Sequence, residues 1–254
     1  MAQEITRPRD LNFTSAQQQI QSLKMVNSDP VLCYTALGAM VSKQYDIAQT
    51  HAQFKMALQA DLSSCRIAQL YATALNNISL PFEASDLLLK YHTRYPNELS
   101  LLTDTIESCV NTGRAFRGEA LLAHWHKLTT DMQNPYETTI KQWALIYRRQ
   151  SLMESEVQPL LESALSLVHQ SLIRQRKNFL ISADYANYDG APYLSYTIYI
   201  DETVDDLLEL EEQHNHLLSS GNFKERLLDN IIITFEHLVV EEKATVTQES
   251  LVHG

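Results

Sequence analysis

The feature that most constrains the fold of this chain is an internal similarity at a spacing of 34 residues. The first segment carries apolar and small residues at Tyr34, Leu37, Gly38, Val41, Phe54, Ala57 and Leu62. The second segment carries residues of mostly the same kinds at Ala68, Tyr71, Ala72, Leu75, Leu88, Tyr91 and Pro96. A period of about 20 to 50 residues is typical of proteins in which one small unit stacks on the next. The spacing therefore predicts a curved stack of helices whose concave face is available to another molecule.

The run from Tyr34 to Gly38, together with the 34-residue period, resembles the tetratricopeptide repeat, in which each unit is a helix–turn–helix. The resemblance implies three repeats, over 31–59, 64–97 and 98–130. The third repeat has its turn at Gly113-Arg114, but Ile106 and Trp125 stand where the family usually has small residues. The family's fold is a helical solenoid that binds peptides or helices of other proteins. The resemblance therefore implies an interaction protein such as an adaptor or chaperone.

Helical periodicity extends on both sides of these repeats. Helices are predicted over Tyr136–Arg149 and over Ser155–Arg176, the second beginning near Pro159, which fits a first turn. We interpret this pair as a degenerate fourth unit or a cap. Upstream, residues 1–12 form a predicted flexible arm, and a helix over Ser15–Met25 would cover the open end of the first repeat. The sequence thus predicts a helical repeat domain over 13–176.

From residue 177 the pattern changes from helical to alternating. Strands are predicted over 178–185, 193–200 and 228–235, with turn residues over 187–192 and a helix over 204–218 that begins at Asp201 or Thr203. In the second strand Leu194, Tyr196, Ile198 and Ile200 share one face. The order β-β-α-β predicts a small acidic α+β domain over 177–238, followed by a C-terminal tail over 239–254. The fold class predicted for the whole chain is therefore α+β.

Composition and charge exclude several classes of function. The net charge is −11, and thirteen acidic but only three basic residues follow Tyr199, so most of the negative charge lies in the C-terminal part. This balance disfavours a general nucleic-acid binder or a binder of anionic membranes. The three cysteines form no CxxC pair and predict buried thiols rather than disulfides. No apolar leader and no stretch of about 18 apolar residues is present, which predicts a cytoplasmic protein without a membrane span.

The resemblance also implies a binding surface, because side chains of the first helix in each tetratricopeptide repeat line the concave groove. The positions that match are polar and include four side-chain amides. They are Thr35, Lys43, Arg66, Gln69, Thr73, Asn76, Asn77, Glu107 and Asn111. Amide side chains both donate and accept hydrogen bonds, so this surface suits the backbone of an extended peptide. The same residues are also compatible with ordinary solvated helix faces.

Three further residue groups allow more than one interpretation. His124/His126 and His214/His216 have i, i+2 spacing within predicted helices, which turns the two rings apart and favours structural roles over metal binding. Acidic residues from 201 to 212 suit a helix N-terminus and a solvated face, or the docking of a basic partner. The tyrosines near the predicted hairpin suit sheet packing or protein contact better than base stacking, because few basic residues surround them. They are Tyr185, Tyr188, Tyr193, Tyr196 and Tyr199.

Two functional hypotheses follow. The first is a protein-interaction adaptor that binds a peptide or helix in the groove, needs no cofactor or metal, and uses the acidic module as a second contact. That contact would suit a basic toxin or effector or self-association. The second is an enzyme whose carboxylates Asp184, Asp189, Asp201 and Glu202 converge in a cleft of the C-terminal module. No phosphate-binding loop, nucleophile elbow or zinc-binding motif supports the second hypothesis.

Overall fold

The protein is an α+β protein, as predicted from the sequence. A computed structural model describes residue 18 and residues 29–129, 132–175, 179–188, 191–221 and 223–238. The predicted N-terminal arm, most of the predicted helix over 15–25, and the predicted tail lie outside the described residues. The first eight described helices are α1 (Pro30–Ser42), α2 (Ile47–Ala60), α3 (Cys65–Asn77), α4 (Pro81–Arg94), α5 (Leu99–Asn111), α6 (Ala115–Leu128), α7 (Glu137–Gln150) and α8 (Glu154–Gln175).

Short polar residues and prolines define where these helices begin. The carboxylates of Asp29 and Asp46 accept backbone amides at the starts of α1 and α2, and the Ser64 hydroxyl does so at the start of α3. Pro30 and Pro81 occupy first-turn positions, where a missing N–H removes no helical hydrogen bond. The limits of the three predicted repeats therefore agree with those of the first three helix pairs to within about three residues.

The helices form successive pairs, and the first helices of the pairs lie on one side. Helix α1 contacts α3, and α3 contacts α5, whereas the described second helices α2, α4 and α6 have no comparable contact with one another. Gly38 allows α1 and α2 to pack closely, because a Cβ atom at this position would lie 2.6 Å from the Phe54 ring. The first helices thus lie next to one another on one side of the stack, which we call its inner surface.

The fourth pair departs from the repeat. Helix α7 packs on α6, but α8 has 22 residues and runs along the turns that join the earlier helices. His169 Nδ1 lies 3.1 Å from the Ile78 carbonyl oxygen, and a Cβ atom at Gly113 would lie 2.9 Å from Leu161. Pro159 is the sixth residue of α8, so its predicted place in the first turn is wrong; the helix begins earlier because Glu154 and Glu156 suit its N-terminus.

The C-terminal part forms a three-stranded sheet with the order β1 (Phe179–Tyr188), β2 (Ala191–Ile200) and β3 (Ile231–His237). Strand β1 is antiparallel to β2, and β3 is parallel to β2. Helix α9 (Val204–Ser220) makes the crossover between β2 and β3, and a short helix α10 (Glu225–Leu228) precedes β3. The Thr203 side chain begins α9 through a reciprocal capping box with Asp206, which confirms one of the two predicted start positions.

Two predictions about the sheet are wrong in detail. The predicted turn over 187–192 is shorter, since Tyr188 pairs with Ala191. The third strand begins at Ile231 rather than residue 228, because 225–228 is helical and the Asn230 side-chain amide donates to the Arg226 carbonyl at 2.8 Å. Apolar residues extend across both elements, so the alternation alone could not separate the helical turn from the strand.

One face of the sheet is buried against the helices. Leu194, Tyr196, Ile198 and Ile200 are fully buried, as their shared face predicts, and they join side chains of α7, α8 and α9 in one core. Strand β1 contacts both α5 and α7, which are the first helices of the third and fourth pairs. The sheet therefore lies against the inner surface of these two helices. The sheet and the helical pairs are therefore joined by a common hydrophobic core.

Two hydrogen bonds attach the sheet to specific first helices. The Tyr196 hydroxyl donates to the Asn111 carbonyl at 2.6 Å, and Trp143 Nε1 donates to the Asp184 carbonyl at 2.9 Å. Both link residues far apart in sequence and orient the sheet on α5 and α7. Within the described part of the chain, no helix is both long and apolar enough to cross a membrane. The three cysteines are free; Cys33 and Cys109 are buried as predicted, whereas Cys65 is only half-buried, so the prediction is wrong there.

Candidate functional site

A cleft of about 470 Å³ lies between the inner surface of the helices and the edge of the sheet. The C-terminal ends of α3 and α5 form one wall, and the first turn of α7 and strand β1 form the rest. Its lining residues are Asn76, Asn77, Glu107, Val110, Asn111, Tyr136, Thr139 and the six consecutive β1 residues Phe179–Asp184. The volume is within the range of ordinary ligand sites.

The structure brings together four of the nine residues predicted for the groove. Asn76, Asn77, Glu107 and Asn111 all line the cleft. Asn77 and Asn111 are 34 residues apart and end successive first helices. The repeat therefore places equivalent side-chain amides side by side along the cleft.

The other five predicted residues lie outside this cleft. Arg66 and Lys43 are exposed, and Arg66 precedes Asn76 by ten residues, about 15 Å along α3. The hydroxyls of Thr35 and Thr73 donate to backbone carbonyls of their own helices. These four positions remain on the helical pairs, away from the sheet, and their role in binding stays a prediction.

Gln69 holds two first helices together. It is buried, and its Nε2 donates to Ser100 Oγ at 2.8 Å and to Asp104 Oδ2 at 2.7 Å. Both partners belong to α5, so the amide joins α3 to α5 at the cleft's margin. This side chain fixes the position of Asp104, one turn before Glu107.

The sequence does not predict the residues that complete the cleft. Tyr136 and Thr139 belong to the fourth pair, whose match to the repeat is too weak to assign an inner face. Strand β1 was predicted, but nothing in its own sequence indicates that it lies against α5. That placement depends on contacts such as the one between Tyr196 and Asn111, which are 85 residues apart in the chain.

The cleft is electronegative. Glu107 and Asp184 are the charged residues among its described lining, and no cationic side chain is among them. Surrounding protein atoms partly desolvate the Glu107 carboxyl and raise its pKa; a hydrogen bond from Tyr136 opposes this shift, and nearby Asp104 adds to it. Burial and the nearby Glu107 charge raise the pKa of Tyr136 to about 12, so this hydroxyl is a permanent donor near neutral pH. The C-terminal ends of α3 and α5 add partial negative charge.

Among the described residues, no strand pairs with the backbone groups on the outer edge of β1, which faces this cleft. The Leu194 amide donates to Asn230 O, and the Leu238 amide donates to Ile200 O, so the even-numbered residues of β2 bond to β3. Because successive residues of a strand bond to opposite sides, the odd-numbered residues of β2 bond to the even-numbered residues of β1. The amides and carbonyls of Phe179, Ile181 and Ala183 consequently point away from the sheet.

The free part of this edge has a defined end. The Tyr185 amide also points outward, but Asp184 Oδ1 accepts it at 2.8 Å. The Asp184 carbonyl accepts from Trp143, but the backbone groups of this even-numbered residue face β2, so that bond does not cover the outer edge. The edge open to a ligand therefore extends from Phe179 to Ala183.

The described carboxylates of the enzyme hypothesis, Asp184, Asp201 and Glu202, do not converge. Asp184 pairs with Ser195, which precedes Asp201 by six residues, or about 20 Å along the strand. Glu202 is only 2% exposed, whereas Asp201 is exposed. Asp189 lies outside the described residues. The described members of this set thus share no common cleft.

The histidine pairs have separate environments. His124 Nε2 lies 2.9 Å from the Pro96 carbonyl oxygen, whereas His126 Nε2 lies 3.2 Å from Glu137 Oε2. His214 is buried against the Phe235 ring, and burial lowers its pKa, while His216 is exposed. In the part of the chain that the structure describes, no three His, Cys, Asp or Glu side chains are grouped to hold a metal ion.

The tyrosines of the hairpin are divided between the two faces of the sheet. Tyr185 and Tyr196 point towards the core, whereas Tyr193 and Tyr199 are half-buried on the opposite face. The latter two are six residues apart, about 20 Å. The side chain of Tyr188 lies outside the described ones. The described tyrosines therefore form no continuous stacking surface.

Comparison with known proteins finds no matching family model, no matching curated protein and no matching solved structure. The site must therefore be interpreted from its own geometry.

Proposed function

We propose that this protein is a cytoplasmic interaction protein of the tetratricopeptide type, an adaptor or chaperone that binds a segment of another protein in the cleft between its helices and its sheet. The observation that supports this most is the position of Asn77 and Asn111, which end successive first helices and line one cleft. Each amide can donate to one backbone carbonyl and accept from one backbone N–H. Two such groups at a repeat spacing suit an extended peptide better than a compact metabolite.

The charge of the cleft favours a basic segment. Glu107 and Asp184 supply carboxylates at opposite walls, and the helix C-termini add to the same potential. The exposed acidic residues of α9, such as Glu209 and Glu212, offer a second contact to a basic partner such as a toxin or effector. Binding to a partner of this kind would weaken with added salt, because screening acts on solvent-exposed charge pairs.

The proposal can be tested by selecting ligands from a displayed library of random ten-residue peptides and measuring their affinity by fluorescence anisotropy. The informative variant carries Asn77→Arg and Asn111→Arg, which put bulk and positive charge into the cleft. A variant with Ala52→Arg and Ala123→Arg adds the same charge at exposed positions of the second helices α2 and α6. Both variants should have the same helical circular dichroism as the natural protein.

We expect selected peptides to be rich in Lys and Arg and to bind with Kd values of about 1 to 100 μM. The cleft variant should weaken binding by about tenfold or more, and the control variant by less than about twofold. Failure to enrich any peptide contradicts the proposal. So do peptides that bind the cleft variant and the control variant equally well.

A further inference from the structure

We propose that the ligand binds as a fourth strand, pairing its backbone with the outer edge of β1 between Phe179 and Ala183. This inference rests on the proposed function and specifies its ligand as a cationic, extended segment of a partner protein. Binding would then combine two kinds of contact. The sheet supplies backbone pairing and the Asp184 carboxylate, and the first helices supply the side-chain amides and the Glu107 carboxylate.

The chemistry of the β1 edge favours the addition of a strand. Three residues, Phe179, Ile181 and Ala183, direct amides and carbonyls outward, and the described chain provides no strand beside them. Unpaired strand edges are templates for another strand, and natural proteins normally protect them with lysine, proline, a bulge or a covering element. The run Phe179–Ala183 contains neither lysine nor proline, and its register with β2 is continuous.

The cleft bounds the space beside this edge. Residues of α3 and α5 line it together with β1, and the outward amide of Tyr185, just beyond Asp184, is already bonded to the Asp184 side chain. The six lining residues of β1 span about 17 Å, enough for five or six ligand residues in extended form. The cleft beside this edge has a volume of about 470 Å³. The space next to β1 is therefore bounded by helices on the side away from the sheet.

The side chains of an added strand must alternate between the two sides of the extended sheet. On the inner side they would meet Asn77, Asn111 and Glu107, and on the outer side they would lie beside Leu180 and Ser182. Leu180 is largely exposed at present. A lysine or arginine on the inner side would pair with the Glu107 carboxylate, while the outer side accepts an apolar residue.

The test uses a fluorescein-labelled hexapeptide of alternating valine and lysine, capped at its C-terminus, with the full-length protein. Ile181→Pro removes one outward amide, and the change is compatible with an edge strand because Ile181 does not bond to β2 through that amide. Ile181→Ala is the matched control, since it removes a similar part of the side chain and retains the amide. Circular dichroism and the melting temperature of both variants establish that the sheet is intact.

Two N-methylated forms of the peptide test the pairing from the ligand's side. One form carries N-methyl groups on its valines and the other on its lysines, so only one of them blocks the amides that face β1. A peptide of alternating valine and glutamate tests the charge preference.

We expect the valine–lysine peptide to bind the natural protein and Ile181→Ala with similar Kd values, and Ile181→Pro at least about tenfold more weakly. One N-methylated form should lose binding and the other should retain it, and the glutamate peptide should bind at least about tenfold more weakly. Equal binding by Ile181→Pro and Ile181→Ala, or by the two N-methylated forms, overturns strand addition. No binding of the lysine peptide at about 1 mM also overturns it. In each case, the proposed function would still be supported if the library peptides bound the variant with Asn77→Arg and Asn111→Arg more weakly than the natural protein.

Discussion

The first three helix pairs and the C-terminal sheet reach stability in different ways. In α1 to α6, each helix packs mainly on its neighbours in sequence, and the same kinds of residues recur at the same positions. The sheet has three strands, and its buried face depends on α7, α8 and α9, which contribute to the same core. A sheet with one apolar face must bury that face against another element. The helical pairs are therefore stabilised mainly by contacts between neighbours in sequence, whereas the sheet is stabilised by the core that it shares with α7, α8 and α9.

The largest expected effect comes from the tryptophan that joins the two regions. Trp143 is 1% exposed, packs in the shared core and donates to the Asp184 carbonyl. Trp143→Ala should lower the free energy of unfolding by about 3 to 5 kcal/mol, with about 1 kcal/mol more for the lost hydrogen bond. Urea denaturation followed by circular dichroism measures this change.

Trp125→Ala is the comparison, because Trp125 is equally buried at 3% exposure but belongs to the core of α5 and α6. Amide hydrogen exchange should show faster exchange in β1 and α7 for Trp143→Ala, and in α5 and α6 for Trp125→Ala. If Trp143→Ala loosened the sheet and left α7 unaffected, the common core of helices and sheet would be disproved.

The same division explains how far the sequence predicts the structure. The helix limits follow from local features such as Asp29, Asp46 and the apolar positions that recur every 34 residues. The shared face of Leu194 to Ile200 also follows, since alternation is a local property. The docking of the sheet does not, because it depends on contacts between residues such as Tyr196 and Asn111 that no periodicity relates.

The residues of the candidate site also differ in how far the sequence predicts them. The repeat identifies Asn77 and Asn111 as inner-surface residues, and the structure places both in the cleft. It cannot show that β1 completes this cleft or that Arg66 and Lys43 lie away from it. Residues that line a site from one repeating element are therefore predictable, and the residues that a later element brings to it are not.

A smaller effect is expected where two helices of a repeat approach each other. Gly38→Ala places a methyl group 2.6 Å from the ring of Phe54, which is fully buried and cannot move aside without disturbing Tyr71 stacked on it. Overpacking of this kind costs about 1 to 3 kcal/mol. Thermal and urea denaturation should both show the loss.

Gly118→Ala provides the matched control at the junction of α6 and α7. The added methyl group would lie 2.9 Å from Ile140 Cδ1, the flexible end of a side chain that can rotate away. Alanine also favours the helix over glycine by about 1 kcal/mol, so this variant should be neutral or slightly more stable. Equal destabilisation by both variants would show that α6 and α7 pack as rigidly as α1 and α2.

The bond from Tyr196 to α5 is expected to contribute less. Tyr196→Phe keeps the ring in the core and leaves the Asn111 carbonyl without this donor, which should cost about 1 to 2 kcal/mol. Tyr193→Phe, on the opposite face of β2, should change the free energy of unfolding by less than about 0.5 kcal/mol. A Tyr196→Phe variant as stable as the natural protein would show that apolar packing alone positions the sheet on α5.

The smallest effect concerns the ion pair that joins α8 to the segment before β3. Glu156 accepts two hydrogen bonds from Arg226, at 2.7 and 2.9 Å, and one from Lys224. Hydrogen bonds from Lys224 and the Met153 amide, together with Arg226, lower the pKa of Glu156 to about 2. Glu156→Gln should therefore lower the melting temperature slightly at neutral pH.

The pH dependence of this loss distinguishes the ion pair from a packing effect. A carboxyl whose pKa is lower in the folded state stabilises the fold above its unfolded pKa, near 4.5, and this stabilisation disappears as the pH falls towards 2. The difference in melting temperature between the natural protein and Glu156→Gln should be constant from pH 7 to about 5.5 and should shrink between about 4.5 and 3. Glu162→Gln, at an exposed position of the same helix, should show no such trend. A difference that stays constant down to pH 3 would mean that Glu156 joins the two segments through its shape and not through its charge.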